Sequence, residues 1–192
     1  MPNLLDDDAD VLVCTTNAVG VMGKGIALDF ARRWPMIKAA YAEDCRAGRL
    51  RGGSVAFYDL PGDLLLETKR QWAAFCTKQH WRDPSRYEWV EAGLREMVKL
   101  MREEGHRSCA IPPLGCGFGG LDWKRVRPMI EGAMAGASWE TRIYNPDLTL
   151  SVLPAVQKAE APKSMPTFHL YRPPVPAIRS PEQEPPRGPG VR

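Results

Sequence analysis

Two glycine-rich loops, each between a predicted strand and a predicted helix, constrain the fold of this chain most strongly. The first covers residues 17–25 and follows a β-branched run at 10–16. The second covers residues 113–120 and follows an apolar run at 108–112. Strand–loop–helix units favour a sheet with helices on both faces, parallel where a helix crosses over. Both loops are therefore expected at one edge of the sheet, where ligands of α/β proteins bind.

The remaining periodicity completes an α/β pattern over residues 1–150. Further strands are predicted at 54–58, 64–68, 72–77 and 139–144, and helices at 25–33, 36–47 and 123–135. The three middle strands are expected to be partly antiparallel. Ser85 and Glu88 have the spacing of a capping box, which predicts a helix that begins at Ser85 and ends before Gly105.

Proline and charge separate the end of the chain from the rest. Residues 154–192 hold ten of the 18 prolines. Residues 1–153, the body of the chain, carry 20 Lys+Arg and 20 Asp+Glu and have no net charge. Residues 154–192 carry six Lys+Arg and three Asp+Glu. This composition predicts a Pro-rich, basic, disordered tail over 151–192. A body without net charge has no general attraction for a long nucleic-acid backbone, although local patches remain open.

The five cysteines have no short, metal-binding spacing, and the three histidines do not supply one. A reduced protein without a structural metal is therefore expected. The sequence shows neither a secretory signal nor an apolar run of the ~18 residues that a membrane span needs. These features predict a cytoplasmic protein that does not engage a membrane.

The first loop is Asn17-Ala-Val-Gly20-Val21-Met22-Gly23-Lys24-Gly25. Its glycines let the backbone approach a ligand, and free N–H groups at a helix start favour anions. Gly25 stands where a P-loop has Ser or Thr, so the magnesium-binding hydroxyl is missing. The glycine spacing also differs from that of dinucleotide-binding loops. The alternative is a plain tight turn.

The second loop is Pro112-Pro113-Leu114-Gly115-Cys116-Gly117-Phe118-Gly119-Gly120. Two such loops at one sheet edge can grip two ends of one ligand. Phe118 either packs on a sugar or base of that ligand, or closes the core beneath the loop.

A third segment, residues 76–82, lies at the end of a predicted strand and contains Lys78. Its basic neighbours in sequence are Lys69, Arg70 and Arg82. In a cleft, burial and neighbouring positive charge both lower the pKa of a lysine and favour the free amine, which attacks carbonyl-like carbons. The alternative is an exposed lysine after a strand.

Together the three segments resemble the macrodomain family, the ADP-ribose-binding fold, and within it the DarG-like branch of DNA ADP-ribosyl glycohydrolases. Residues 17–30, 77–85 and 114–123 carry the resemblance, which spans about residues 3–145. It implies a three-layer α/β/α macrodomain. Family members begin with a strand that ends in Gly-Asp/Asn-Leu/Ile. Only residues 3–5 correspond to it here, so either the true start lies upstream or this first edge strand is missing.

The resemblance also implies what binds. The two loops would wrap the diphosphate and distal ribose of ADP-ribose, Asn17 would contact that ribose, and Lys78 would be the catalytic lysine. The substrate of the branch is thymidine in single-stranded DNA that bears ADP-ribose on the base. The usual partner of these proteins is a DNA-modifying toxin. No metal or other cofactor is expected. The second folded domain of the two-domain antitoxins has no counterpart here, so toxin binding through such a domain is not expected. The predicted ligand-binding residues are Asn17, Gly20, Val21, Met22, Gly23, Lys24, Gly25, Thr77, Leu114, Gly115, Cys116, Gly117, Phe118 and Gly119.

The residue chemistry agrees with this role. Cleaving an N-glycosidic bond at the distal ribose exposes an aldehyde-equivalent carbon, which Lys78 can attack, or the lysine can polarise the ring and leaving group. His80 and Trp81 are predicted to contact the nucleobase, or Trp81 lies in the core. A related branch carries an aspartate where this chain has Gly119, while Asp122 is at least as well placed to cap a helix.

Three functions therefore compete. The leading one is an ADP-ribosyl glycohydrolase acting on modified nucleic acid. The second is a reader that binds ADP-ribose without cleaving it and does not need Lys78. The third is hydrolysis of a small ADP-ribose derivative, such as a phosphate or acetyl ester, against which the retention of residues 77–82 argues.

Overall fold

The computed structural model describes residues 3–61, 70–147 and 149–156. The strand predicted at 64–68 and residues 157–192 of the predicted tail lie outside the described residues. No helix of the described part is long and apolar enough to cross a membrane.

The described elements follow the predicted order closely. The helices are α1 (Gly25–Arg33), α2 (Ile37–Arg46), α3 (Tyr87–Glu104) and α4 (Trp123–Met134). The strands are β1 (Val11–Asn17), β2 (Val55–Asp59), β3 (Gln71–Lys78), β4 (Ser108–Ile111), β5 (Glu140–Tyr144) and β6 (Leu150–Leu153).

The strands form one mixed sheet in the order β2-β3-β1-β4-β5-β6. The inner strands β3, β1, β4 and β5 run parallel, and β2 and β6 pair antiparallel at the two edges. The predicted mixed, partly parallel sheet is thus confirmed. Strand β6 lies where the sequence analysis placed the start of the tail. Residues 148–152 alternate apolar and polar, as a strand does, and β6 pairs antiparallel with β5.

Helices cover both faces of the sheet, so the predicted three-layer α/β/α arrangement is confirmed. On one face, α3 and α4 bury a core that contains Phe75, Leu94 and Trp139. On the other face, α1 and α2 bury a second core around Phe30 and Trp72. The strands between these layers are buried on both sides, which is why β1 and β3 read as nearly continuous apolar runs.

The start of α3 differs from the prediction. The helix begins at Tyr87 with Arg86 as its N-cap residue, and no side chain caps it. The capping box predicted from Ser85 and Glu88 is therefore wrong. Tertiary contact overrides the local signal, because the backbone N–H of Ser85 donates instead to Gly119 O in the second loop at 2.9 Å. The predicted end is confirmed, with Gly105 in the left-handed conformation at φ 72°.

The parallel strands bring three chain segments to one sheet edge. Asn17 at the end of β1 pairs with Lys78 at the end of β3, and β4 lies on the other side of β1. The N–H of Ala18 donates to Lys78 O at 3.0 Å. The first loop therefore starts directly beside Lys78, as the sequence analysis expected.

Candidate active site at the carboxyl edge of the sheet

The first loop is shaped by the side chain of Asn17. Its amide oxygen accepts the N–H groups of Val19 at 3.1 Å and Val21 at 3.3 Å. Its amide nitrogen donates to Val21 O at 2.6 Å. Asn17 is buried, and these bonds bind the amide to the loop itself. The predicted contact between Asn17 and the distal ribose stays a prediction.

Helix α2 supports the first loop from below. The Tyr41 hydroxyl donates to Asn17 O and accepts the Asn17 N–H at 3.3 Å. Gly20 has φ 80°, and a Cβ there would lie 3.0 Å from the Cα of Ala42. Both the backbone conformation and the close approach require glycine at this position.

The last residues of the first loop have free backbone N–H groups. Helix α1 begins at Gly25 with Lys24 as its N-cap residue, and no side chain caps it. The N–H groups of Met22, Gly23 and Lys24 find no acceptor among the described residues. Free N–H groups followed by a helix start form an arrangement that suits a phosphate.

The second loop is held by its own backbone. Three main-chain bonds close it: Cys116 N–H to Pro113 O at 3.2 Å, Gly120 N–H to Gly117 O at 3.0 Å, and Leu121 N–H to Gly115 O at 3.0 Å. Within the described ranges, the N–H groups of Gly117, Phe118 and Gly119 bind no acceptor. The second loop therefore also offers donors to an anion.

The packing of the second loop leaves no room for a side chain at Gly119. A Cβ there would lie 2.2 Å from Gly115 O and 2.3 Å from Ser85 Oγ. Ser85 is buried, and its hydroxyl has no hydrogen-bond partner in the described structure. Sequence reasoning missed Ser85 as a support of this loop, because its spacing to Glu88 indicated a helix cap instead.

Phe118 connects the two loops. Its side chain is 73% exposed, so the alternative that it closes the core is wrong. The Lys24 ammonium lies 5.5 Å from the centre of the Phe118 ring. A Cβ built on Gly25 would meet that ring at 3.4 Å. Phe118 thus lies on the start of α1, at the surface where a ligand held by both loops would bind.

Lys78 is half-buried beside the same residue. Its ammonium donates to Phe118 O at 2.7 Å and to Trp81 O at 3.4 Å. Burial lowers the pKa of Lys78 below its ordinary value, and the Asp83 carboxylate opposes this shift. The alternative of a freely exposed lysine after the strand is wrong.

The expected positive neighbours of Lys78 are not the cause of that shift. Arg70 precedes the opposite end of β3, where it donates to Ala9 O at 3.2 Å. Lys69 lies outside the described residues. Arg82 stacks on Trp81 instead, with its guanidinium 4.3 Å from the ring centre. Burial is what lowers the pKa of Lys78.

His80 and Trp81 form an exposed aromatic pair next to Lys78. Their ring centres are 5.3 Å apart. Trp81 is 42% exposed, so the alternative that it lies in the core is wrong. Contact of this pair with a nucleobase remains a prediction.

Several predicted residues contribute main chain rather than side chain. Thr77 and Leu114 are buried. Burial raises the pKa of the Cys116 thiol to about 11, so this thiol is protonated near neutral pH. Asp122 caps α4 by accepting the Lys124 N–H at 2.9 Å, which is the role that the sequence analysis weighed against catalysis. In the part of the chain that the structure describes, no group of three or more His, Cys, Asp or Glu residues could hold a metal ion.

A cavity that sequence reasoning missed lies beyond the end of β5. It has a volume of about 330 Å³. Its lining residues are Trp123, Arg127, Asn145, Pro146, Asp147 and Thr149. The buried amide oxygen of Asn145 has no partner in the described structure. Because β5 neighbours β4, this cavity and the second loop share one edge of the sheet. A larger cavity of about 510 Å³ lies against residues 49–56 and α3 and contains no predicted site residue.

Comparison with known proteins agrees with this arrangement. The family model for the macro domain matches residues 13–130. A curated relative from Thermus aquaticus, named DNA ADP-ribosyl glycohydrolase, is 43% identical over 145 residues. The match covers 75% of this chain but 39% of the relative, so the chain spans about two fifths of that relative's length.

Solved structures give the same result. The macrodomain of Thermus aquaticus DarG superposes with a TM-score of 0.69 at 42% identity, covering 76% of this chain and 95% of that one. Thermosipho africanus DarTG in complex with ADP-ribose superposes with a TM-score of 0.67 at 33% identity. That match covers 72% of this chain and 38% of the other.

Proposed function

We propose that this chain, which belongs to the macro domain family, is an ADP-ribosyl glycohydrolase that removes ADP-ribose from modified nucleic acid. The observation that carries the proposal is the meeting of three segments at Phe118. Its ring lies against the start of α1, and its carbonyl accepts a hydrogen bond from the Lys78 ammonium at 2.7 Å. The free N–H groups of the two loops and the half-buried Lys78 amine thus lie on either side of Phe118.

The ligand would be held mainly by main-chain donors. The N–H groups of residues 22–24 and 117–119 are free to bind the oxygens of a diphosphate. Lys24 adds a positive charge beside Phe118. The adenosine end would reach toward the cavity at Asn145, whose unpartnered oxygen can accept an amino hydrogen. The distal ribose would then face Lys78.

The reaction is hydrolysis of an N-glycosidic bond. The bond between the anomeric carbon of the distal ribose and the base nitrogen breaks, water supplies a hydroxyl to the ribose, and the base regains its proton. Lys78 can attack the anomeric carbon as the protonated base leaves, forming a transient imine that water hydrolyses to release ADP-ribose and the amine, or it can donate a proton to the leaving base. The lowered pKa of Lys78 favours the first role, which needs a free amine.

The finer substrate assignment is thymidine in single-stranded DNA. The relatives named DNA ADP-ribosyl glycohydrolase and the exposed pair of His80 and Trp81 beside Lys78 support it. A DNA-modifying toxin is the partner proposed, because a curated relative from Thermosipho africanus, 33% identical, is named as a fusion of a DNA ADP-ribosyl transferase with a glycohydrolase.

One experiment tests the proposal directly. We expect the wild-type protein to release ADP-ribose from a thymidine-modified oligonucleotide, and Lys78→Ala to lose at least about 100-fold in rate. Lys99→Ala is the control, because Lys99 is exposed on α3 and pairs with Glu96 at 3.8 Å. Release of ADP-ribose is followed by chromatography. Hydrolysis by Lys78→Ala at the wild-type rate would refute the catalytic role.

The second candidate function is a reader of ADP-ribose, and one observation favours it. The Lys78 ammonium is engaged with two carbonyl oxygens and could serve as a latch for the second loop. In the reader that the sequence analysis describes, Lys78→Ala retains ADP-ribose binding; if Lys78 instead holds the second loop in place, Lys78→Ala weakens that binding. In both cases neither wild type nor the variant hydrolyses the oligonucleotide. If the protein is a glycohydrolase, wild type hydrolyses the oligonucleotide, and Lys78→Ala retains ADP-ribose binding but loses hydrolysis.

A further inference from the structure

We propose that Arg51, Trp81, Arg82, Arg86 and Trp89 form one surface that binds the single-stranded DNA flanking the modified base. We call these five residues the Arg–Trp surface. The inference rests on the proposed function, because it takes the target base to lie at Lys78. It concerns the strand on either side of that base rather than the ADP-ribose itself.

Two guanidinium–indole stacks form the centre of the Arg–Trp surface. The Arg82 guanidinium lies 4.3 Å from the Trp81 ring centre, and the Arg86 guanidinium lies 4.8 Å from that of Trp89. An arginine stacked on an aromatic ring is held in place while its N–H edge stays free to bind phosphate. Both stacks follow Lys78 closely in the chain.

Hydrogen bonding and packing join the second stack to the catalytic end of β3. The side-chain oxygen of Gln79 accepts the Gly52 N–H at 2.9 Å. Gly52 lies so close to Trp89 that a Cβ would be 2.5 Å from the indole Cε2. Arg51, next to Gly52, is therefore brought to the same side of the molecule as Trp89. Gln79, the residue after Lys78, is thus linked through Gly52 to the second stack.

The arginines of this surface are available to a ligand. Arg51, Arg82 and Arg86 are exposed and form no ion pair among the described residues. The nearby carboxylates of Asp83 and Glu88 are exposed and likewise make no ion pair in the described part of the chain. Five other arginines bind carboxylates, namely Arg33, Arg49, Arg95, Arg127 and Arg142, whereas Arg125 is, like Arg82 and Arg86, exposed and stacked on a ring.

Single-stranded DNA is the partner that fits this chemistry. Guanidinium groups bind phosphates, and the exposed ring of Trp81 can stack with a base of any sequence, whereas Trp89 mainly holds Arg86 in place. A base that must reach Lys78 has to leave the duplex stack, so an unpaired strand places it there at a lower cost. A small cationic patch on a body without net charge binds a few nucleotides rather than a long polyanion.

The test measures binding of an unmodified, thymidine-containing single-stranded 12-mer by fluorescence anisotropy, so it does not require hydrolysis. We expect Arg82→Ala/Arg86→Ala to bind about tenfold more weakly than wild type. The slope of log affinity against log salt concentration should fall by about 1.4, at ~0.7 per phosphate contact. The matched control is Arg95→Ala/Arg102→Ala, which removes two exposed arginines from the same helix region and should match wild type.

Several outcomes would overturn the inference. Equal loss in the two double variants would mean that net charge, and not this surface, binds the strand. Unchanged affinity in Arg82→Ala/Arg86→Ala, or tighter binding of duplex DNA or RNA than of the single strand, would also overturn it. We expect calorimetry to give both double variants the wild-type affinity for ADP-ribose. Strand binding that depends on Arg82 and Arg86, without any hydrolysis by wild type, would support the surface and refute the proposed glycohydrolase.

Discussion

The first and second loops look alike in sequence but keep their shapes by different means. The first loop is held from inside by one buried side chain, since the Asn17 amide makes three hydrogen bonds to Val19 and Val21. The second loop is held by main-chain bonds and by the lack of side chains at Gly115 and Gly119.

The difference means that the two loops differ in what holds their shape, although the first loop, like the second, contains a position that has to stay glycine, Gly20. The first loop is sensitive to losing a side chain, because backbone donors beneath the ligand would lose their partner. The second loop is sensitive to gaining one, because the added atom would meet backbone that cannot move aside. Glycine content alone does not distinguish these cases.

The largest expected effect is at Gly119. Gly119→Ala would place a methyl group 2.2 Å from Gly115 O, so we expect a loss of about 3 kcal/mol in the free energy of unfolding and a loss of ADP-ribose binding. Gly117→Ala is the matched control, since a Cβ there meets nothing within 4 Å. Thermal unfolding and calorimetry measure both. Equal stability of the two variants would remove the distinction between the loops.

A smaller loss is expected at Asn17. Asn17→Ala leaves the N–H groups of Val19 and Val21 without their acceptor and should cost about 2 kcal/mol. Asn17→Asp keeps an acceptor but places a buried carboxylate oxygen where the amide nitrogen lies 2.6 Å from Val21 O, so it should be at least as unstable as Asn17→Ala. Urea unfolding ranks the three proteins. A cost below about 0.5 kcal/mol for Asn17→Ala would mean that the Asn17 amide is not what holds the first loop.

The third prediction concerns Lys78, which joins the second loop through Phe118 O. Burial lowers its pKa, so the free-amine fraction grows as pH rises toward this lowered pKa. If the amine is the nucleophile, kcat/KM should rise about tenfold per pH unit below that pKa and level off above it. Between the lowered and ordinary pKa values the unfolded chain binds the proton more tightly, so stability also rises with pH.

The pH profile of hydrolysis and that of unfolding check this prediction together. Lys78→Ala should lack the rising limb of the unfolding profile. A kcat/KM that falls across the same pH range would assign Lys78 the role of proton donor instead.

The smallest expected effect is at Ser85. Its N–H supports the second loop, but its hydroxyl has no partner in the described structure. Ser85→Ala should therefore change the free energy of unfolding by less than about 0.5 kcal/mol. A helix-capping serine would cost about 1 kcal/mol when replaced by alanine. Differential scanning calorimetry distinguishes these two changes in the free energy of unfolding. A loss of about 1 kcal/mol would indicate that Ser85 does cap α3.

Local signals predicted most of the fold. The β-branched run before Asn17, the apolar stripe of α3 and the cap at Asp122 each act over a few residues, so the sequence expresses them directly. Strand β6 and the start of α3 were not predicted correctly. The start of α3 depends on a partner distant in sequence, Gly119 for Ser85, whereas β6 pairs with the adjacent strand β5 and lies where the Pro-rich composition indicated a tail.

The sequence by itself determined the two loops, the amine between them and the layered architecture, because glycine spacing and periodicity are properties of neighbouring residues. Only the tertiary structure decided that Phe118 is exposed and bonded to Lys78, that Asn17 binds its own loop, and that the second loop has no space at Gly119. The Lys78–Phe118 bond and the contact of Gly119 with Ser85 join segments that are far apart in sequence, and packing sets their distances. The Asn17 bonds stay within one loop, but an asparagine at that position does not reveal which partners its amide takes.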